Sequence, residues 1–280
     1  MPPHPSRSFA RRGKGAAHGS DKVGVVETSP LYTSPSEKSR VKFYVQARSK
    51  ERTDYTVYTW PIMSSAFTRL TREVKRLGDL SNNGIFYRQD QHILTRGIAL
   101  IIGPEDSAYA NCLFTFQFDF PSDYPFSPPK VNFLTNDGKT RFHPNLYTDG
   151  KVCLSILGTW SGPGWQSTMS FSMILLSLKA LLDSNPLAHE PGYDRRTLHD
   201  EYALHYSQYV QHQSIAITIE QIKSGTLFDE DLKDHIPILK SKLRSILLEK
   251  VRYADVNYPY LPYSMSGVTK WKKLLGELTS

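Results

Sequence analysis

Leu113-Phe114-Thr115-Phe116-Gln117-Phe118-Asp119-Phe120-Pro121-Ser122-Asp123-Tyr124-Pro125-Phe126-Ser127-Pro128-Pro129-Lys130-Val131 contains both a strand and the obstacle that ends it. Aromatic residues at 114, 116, 118 and 120 alternate with Thr115, Gln117 and Asp119, the period of a half-buried antiparallel strand with one aromatic face. The prolines that follow remove backbone donors, so residues 124–129 cannot pair in a sheet and form a rigid loop, with Tyr124 as its anchor. Outward from there, strands are predicted over residues 85–87, 92–102 and 130–134, with turns at Asn83-Gly84 and at residues 103–107. Phe67, Leu70, Val74 and Leu77 recur at helical steps and predict a helix from Ser64 or Ser65 to Leu80 with these four on its buried face. Phe171, Ile174, Leu175, Leu178, Leu181 and Leu182 predict a buried central helix. Further helices are expected over 201–213, around Leu232 to Leu247 with Pro237 near the start, and around Trp271, Leu274 and Leu275. The expected class is α/β (α+β): an N-terminal helix, a four-stranded antiparallel meander and C-terminal helices.

Ten residues separate His143 of His143-Pro144-Asn145 from Cys153, which is flanked by Val152, Leu154 and Ile156. A thiol combines strong nucleophilicity with a pKa of about 8.5, so a few per cent is thiolate at neutral pH. An acyl group can therefore form a thioester on it without a strong local base, and that ester is activated toward amines. Amine attack builds negative charge on the carbonyl oxygen, where a neutral amide donor contributes about 3 kcal/mol. Asn145 is the candidate donor, and Gly150 in Thr148-Asp149-Gly150-Lys151 supplies the turn that returns the chain beside it. Taken singly, these residues have plainer readings. A cysteine among aliphatic residues is usually a small buried hydrophobe, a histidine a core residue bonded to backbone, and an asparagine a turn residue. One His and one Cys ten apart, with no Cys-x-x-Cys pair, leave a zinc sphere unfilled.

The stretch from Phe118 to Val131, then His143-Pro144-Asn145, then Cys153-Leu154, resembles the ubiquitin-conjugating enzymes in residues and spacing, over about half of the chain. The long segment 155–165 and Asn185-Pro186 followed by Glu190-Pro191-Gly192-Tyr193 look like the Z-type subgroup, which includes the conjugating domain of a giant inhibitor-of-apoptosis protein. The resemblance implies a UBC-like fold whose cysteine, here Cys153, receives ubiquitin or a ubiquitin-like modifier from an activating enzyme. The modifier then passes to a lysine of a protein substrate, usually presented by a ubiquitin ligase. The partner activating enzyme spends the ATP, so no cofactor and no metal are expected. The family's pattern places Asn145 beside the acyl group and gives His143 and Pro144 the bracing of its loop. It assigns the first helix, hence Arg69, Arg72, Lys75 and Arg76, to the activating enzyme, and Phe126 with Trp160 and Pro163 to ligases.

Two departures stand out. The family often reads Trp-Ser-Pro where this chain has Trp165-Gln166-Ser167. Many members also carry an acid at the acceptor gate, two residues after the proline, where this chain has Ala188. His189 or Glu190 can take over there, since a lysine of pKa about 10.4 must lose a proton to attack. A solvated histidine and a capping glutamate read equally well. The alternative to an enzyme is a non-catalytic variant of the fold that serves as a ubiquitin-binding scaffold. The cysteine argues against that variant, and the poorly filled gate argues for it.

Composition bounds the rest. Of 280 residues, 39% are apolar, enough for one sizeable core with extensions. Two cysteines form no disulfide framework, so a reducing cytoplasmic or nuclear compartment is expected. Residues 1–60 hold 11 Lys and Arg against 5 Asp and Glu, leaving 23 against 22 in the remainder, so the net charge of +7 belongs mostly to the leader. A basic arm can contact nucleic acid, although solvation is the usual reason for one, and nucleic acid is not expected as a partner. The apolar runs are too short for a membrane span. The expected divisions are a disordered basic leader over 1–38, a linker or docked extension over 39–61, a catalytic core over 62–213 and a helical extension over 214–280. Cys112 opens the third strand and is expected to be packed and inert.

Overall fold

The computed structural model describes residues 40–49, 52–61 and 65–280, with backbone alone for residues 40–61 and Asp79. The leader expected over 1–38 lies outside the described residues. The chain divides into two units, 1–64 and 65–280. In the first, β1 (Arg40–Ser49) and β2 (Arg52–Pro61) pair antiparallel from Arg40 opposite Pro61 to Ser49 opposite Arg52.

The second unit opens with α1 (Ser65–Lys75), which tightens into a 3₁₀ turn over Leu77–Asn83. The α-helix therefore stops short of the expected Leu80, because Gly78 and Asn82-Asn83 are poor helix formers. Its buried positions are Ala66, Leu70 and Glu73, whereas Phe67 and Val74 are only half-buried. The expected face is thus rotated around a buried carboxylate. Glu73 accepts from Arg69 Nε at 2.5 Å, from Tyr124 Oη and from Phe171 N at 3.1 Å. Three donors match the desolvated charge.

Then come β3 (Ile85–Gln89), β4 (Arg96–Ile102), β5 (Leu113–Asp119) and β6 (Lys130–Phe133), an antiparallel meander in that spatial order. β4 starts at Arg96 and not at the expected residue 92, because the Asp90 carboxylate accepts from His92 N and Ile93 N and holds a turn there. On β5, Phe114, Phe116 and Phe118 are fully buried while Thr115, Gln117 and Asp119 are half-buried, the alternation expected from the sequence. Their face meets α2 (Phe171–Leu181). Phe171 makes edge contacts with Phe118 at 4.9 Å and Phe120 at 5.0 Å, and burying each such ring contributes about 1.5–3 kcal/mol.

The opposite face of the sheet is also covered. α3 (Glu201–Ser224), α4 (Asp229–Leu232) and α5 (His235–Lys250) follow in the chain, and Phe228, Leu232 and Leu239 pack on Phe86, Leu100 and Leu113. Two buried faces explain why residues 98–102 of β4 form a continuous apolar run and not an alternation. The boundary expected at residue 213 falls inside α3, which runs on to Ser224. Beyond that boundary Ile215 and Ile219 are buried and the Thr218 hydroxyl accepts from Leu113 N at 3.0 Å. A hairpin that the sequence did not suggest, β7 (Asn257–Leu261) with β8 (Met265–Val268), precedes α6 (Trp271–Thr279). Both join the same apolar core as α2 and α3. No helix among the described residues is long and apolar enough to cross a membrane.

His212 of α3 locks α6 in place, since its Nε2 accepts from Lys270 N at 2.8 Å and its ring meets Trp271 edge-on at 4.8 Å. Burial lowers its pKa from 6.5 to about 4, against a smaller opposing pull from Asp255. The fold holds the neutral form, so its contribution is complete above about pH 6.5 and is lost as pH falls toward 4. That difference corresponds to roughly 3 kcal/mol. The thermal midpoint is expected to drop between pH 7.5 and 5, and to drop less in His212→Gln.

Candidate active site

Between β6 and α2 the chain makes a compact loop that folds back on itself. Tyr147 N donates to Lys151 O at 2.9 Å, and the Asp149 carboxylate accepts from Lys151 N at 3.0 Å. Gly150 sits at φ +90°, in the left-handed region that favours glycine, and a Cβ there would lie 3.1 Å from Phe133 O. Phe133 N donates to Gly150 O at 2.8 Å and fastens the turn to β6. The chain thus returns residue 153 to residue 145. Cys153 N donates to Asn145 O at 2.9 Å, and Asn145 Nδ2 donates to Cys153 O at 2.7 Å.

Asn145 is 6% exposed. Among the described residues its Oδ1 has no partner, and only one of its two amide hydrogens is engaged. His143 is fully buried, and its Nδ1 accepts from Asn145 N at 3.0 Å, which puts the ring proton on Nε2. Burial, then the neighbouring His189 and Arg141, hold His143 well below the usual histidine range. It is a neutral brace of the Asn145 backbone. Arg141 completes this framework by donating from Nε to His143 O at 3.2 Å and from Nη2 to Pro144 O at 2.5 Å. Sequence reasoning missed this residue, and no local pattern marks it.

Cys153 is 1% exposed. The thiol that the sequence reading requires to be reachable is covered in this conformation. The segment after it is drawn back over the neighbouring residues, with the Thr159 hydroxyl donating to Val152 O at 2.8 Å and accepting from Leu154 N at 3.0 Å. Beyond it, residues 158–164 are exposed. Cys112 is fully buried, and burial pushes its thiol up to about 12.

After α2 a 3₁₀ turn, Pro186–His189, leads past the site. His189 lies with its ring centroid 4.8 Å from that of His143, and its Nε2 sits 2.7 Å from the Asp183 carboxylate. The Glu190 carboxylate accepts from Tyr263 Oη at 2.6 Å, so it is tied down and not free at the gate. On α1 and just after it, Arg72, Lys75 and Arg76 are exposed, but Arg69 is turned inward onto Glu73 and the Met169 carbonyl, 3.1 Å away. Arg69 therefore departs from the expected basic face. Phe126 is 76% exposed, Trp160 is 38% exposed and Pro163 lies in the open segment. The Trp165 indole donates to Pro125 O at 2.7 Å and ties the Phe126 loop to the segment carrying Trp160. Among the described residues no group of three His, Cys, Asp or Glu could hold a metal ion.

A cysteine is thus pinned through its own peptide to an asparagine amide, on a helix–meander–helix frame. The family model for ubiquitin-conjugating enzyme matches residues 69–214, more than half of the chain, and the chain belongs to that family. It is similar to ubiquitin-conjugating enzyme E2 Z of Xenopus tropicalis, 38% identical over 158 residues, covering 56% of this chain and 50% of the relative. It is similar also to the human dual E2 ubiquitin-conjugating enzyme/E3 ubiquitin-protein ligase BIRC6, 49% identical over 121 residues, 41% of this chain and 2% of that protein. A solved structure of human ubiquitin-conjugating enzyme E2 G1 matches 43% of this chain and 96% of its own at 32% identity, with a TM-score of 0.38. The first of these matches bears out the expected Z-type likeness, and the chain spans about half the length of that relative.

Proposed function

We propose that this chain accepts ubiquitin or a ubiquitin-like modifier from an activating enzyme as a thioester on Cys153 and passes it to a substrate lysine. The observation that carries this reading is the Asn145 amide bonded to the Cys153 carbonyl, with its second hydrogen unspent. In loading, the Cys153 thiolate attacks the thioester carbonyl on the activating enzyme, whose thiol leaves. In discharge, a deprotonated lysine amine attacks the carbonyl on Cys153, the Asn145 amide meets the developing oxyanion, and the Cys153 thiolate leaves. His143, with Pro144, keeps the Asn145 backbone in register. His189, whose Nε2 lies 2.7 Å from the Asp183 carboxylate, is the gate residue that takes the lysine proton in this reading. Arg72, Lys75 and Arg76 form the surface for the activating enzyme, and Phe126, Trp160 and Pro163 the surface for ligases. The chain itself needs no cofactor, and a cytoplasmic or nuclear setting suits a free thiol.

The 1% exposure of Cys153 favours a second reading, a scaffold that binds ubiquitin without carrying it. Incubation with a panel of activating enzymes and modifiers plus ATP, read on a non-reducing gel, separates the two. A carrier gives an adduct that reductant removes. No adduct with any pair leaves the scaffold.

A further inference from the structure

We propose that the β7–β8 hairpin, which lies beyond the residues matched by the family model, completes the active site through Tyr263. This residue positions the Asn145 loop and the gate together. The proposal rests on the reading of Cys153 as the acyl carrier.

Arg141 links the hairpin to the loop. Its side chain is the donor that fixes the carbonyls of His143 and Pro144, immediately before Asn145. A guanidinium carries five donors in one plane, so its orientation decides which carbonyls it can reach. Two rings hold that plane: the guanidinium carbon lies 3.2 Å from the ring centroid of Tyr147 and 4.9 Å from that of Tyr263. The backbone of Arg141 is fixed as well, by the hairpin and by α3. Its N–H donates to Met265 Sδ at 3.0 Å, and its carbonyl accepts from Tyr206 Oη at 2.7 Å.

The same tyrosine reaches the gate. Its hydroxyl donates to the Glu190 carboxylate, one residue beyond His189, whose ring lies against His143. One side chain therefore touches the brace of the Asn145 loop through its ring and the gate segment through its hydroxyl. Burial and the adjacent Glu190 raise the phenol pKa, so it stays a donor throughout the working range. Tyr263 and Ser264 both adopt the left-handed region, at φ +61° and +56°, which non-glycine residues rarely occupy.

Tyr263→Phe keeps the ring on Arg141 and removes the bond to Glu190, while Arg141→Lys removes the planar fork. Each variant is loaded with the pair that charges the wild type, and single-turnover discharge is followed against lysine concentration. The maximal discharge rate is expected to fall about tenfold more than loading does, because misplacing the amide in Arg141→Lys, or the gate in Tyr263→Phe, affects the step in which the lysine attacks. Melting temperatures within a few degrees of wild type accompany that split. Wild-type discharge in both variants overturns the proposal. So do equal losses in loading and discharge that track a lowered melting temperature, which mark a merely structural contact. If the wild type itself does not load, the reading of Cys153 fails, a result distinct from either of these.

Discussion

Cys153→Ala is expected to abolish the reductant-sensitive modifier adduct completely, the largest effect of any single substitution in this chain. The sequence contains one other thiol, and it cannot substitute. Cys112 enters β5 with no exposed surface, its sulfur turned to the Ala110 carbonyl at 3.5 Å and its pKa pushed up to about 12. Near neutral pH so high a value leaves a vanishing thiolate fraction, and the thiolate is the nucleophile. Without Cys153, therefore, no acceptor for an acyl group remains among the cysteines. Far-UV circular dichroism of the variant should match the wild type, since trading a small buried thiol for a methyl group changes little volume. The gel band, compared with and without reductant, is the measurement.

Asn145→Ala is expected to slow discharge to free lysine by about 10²–10³-fold and loading by less than about tenfold. In the proposed mechanism the amide hydrogen that Asn145 keeps unspent acts when an amine attacks and charge gathers on the carbonyl oxygen. The substitution also leaves the Cys153 carbonyl without its donor, at a cost of about 1–3 kcal/mol to the loop. That second effect acts on both steps, so the difference between them isolates the first. Equal losses would assign Asn145 to architecture alone. Pre-loaded protein chased with lysine gives the discharge rate, and a time course with the activating enzyme gives the loading rate.

Much of this architecture can be read along the chain because it rests on local periodicity. The alternation at residues 114–120 marks a one-faced aromatic strand, and the helical spacing from Phe171 to Leu182 marks the helix that covers it. The apolar run of β4 carried a further signal, two buried faces, which becomes interpretable only once Phe228, Leu232 and Leu239 are seen on the far side of the sheet. Other features depend on contacts distant in sequence. Glu73 on α1 looks like a solvated charge until Tyr124 and Phe171 are brought to it from 51 and 98 residues away. Its burial turns Arg69 inward, which no helical wheel shows. The end of α3 escapes prediction because Ile215 and Ile219 are stabilised by the core, and only Gly225 stops the helix.

Within the site, the pairing of Asn145 with Cys153 follows from the Gly150 turn and is visible as a spacing. The Arg141 brace and the Tyr263 hydroxyl are not, since the hairpin that meets Arg141 lies more than a hundred residues after the loop and the hydroxyl reaches Glu190 across 73 residues. The covered state of Cys153 is likewise a tertiary property. Its neighbours in sequence, 158–164, are open to solvent, while the residue itself is closed over.

The chemistry attributed to Cys153 is tested most directly by replacing sulfur with oxygen. Cys153→Ser, incubated with the activating enzyme, modifier and ATP that charge the wild type, is expected to form an ester that withstands reductant and breaks in alkali, with peptide mapping placing it on residue 153. An adduct that is still removed by reductant in this variant, or one that maps elsewhere, would contradict the account.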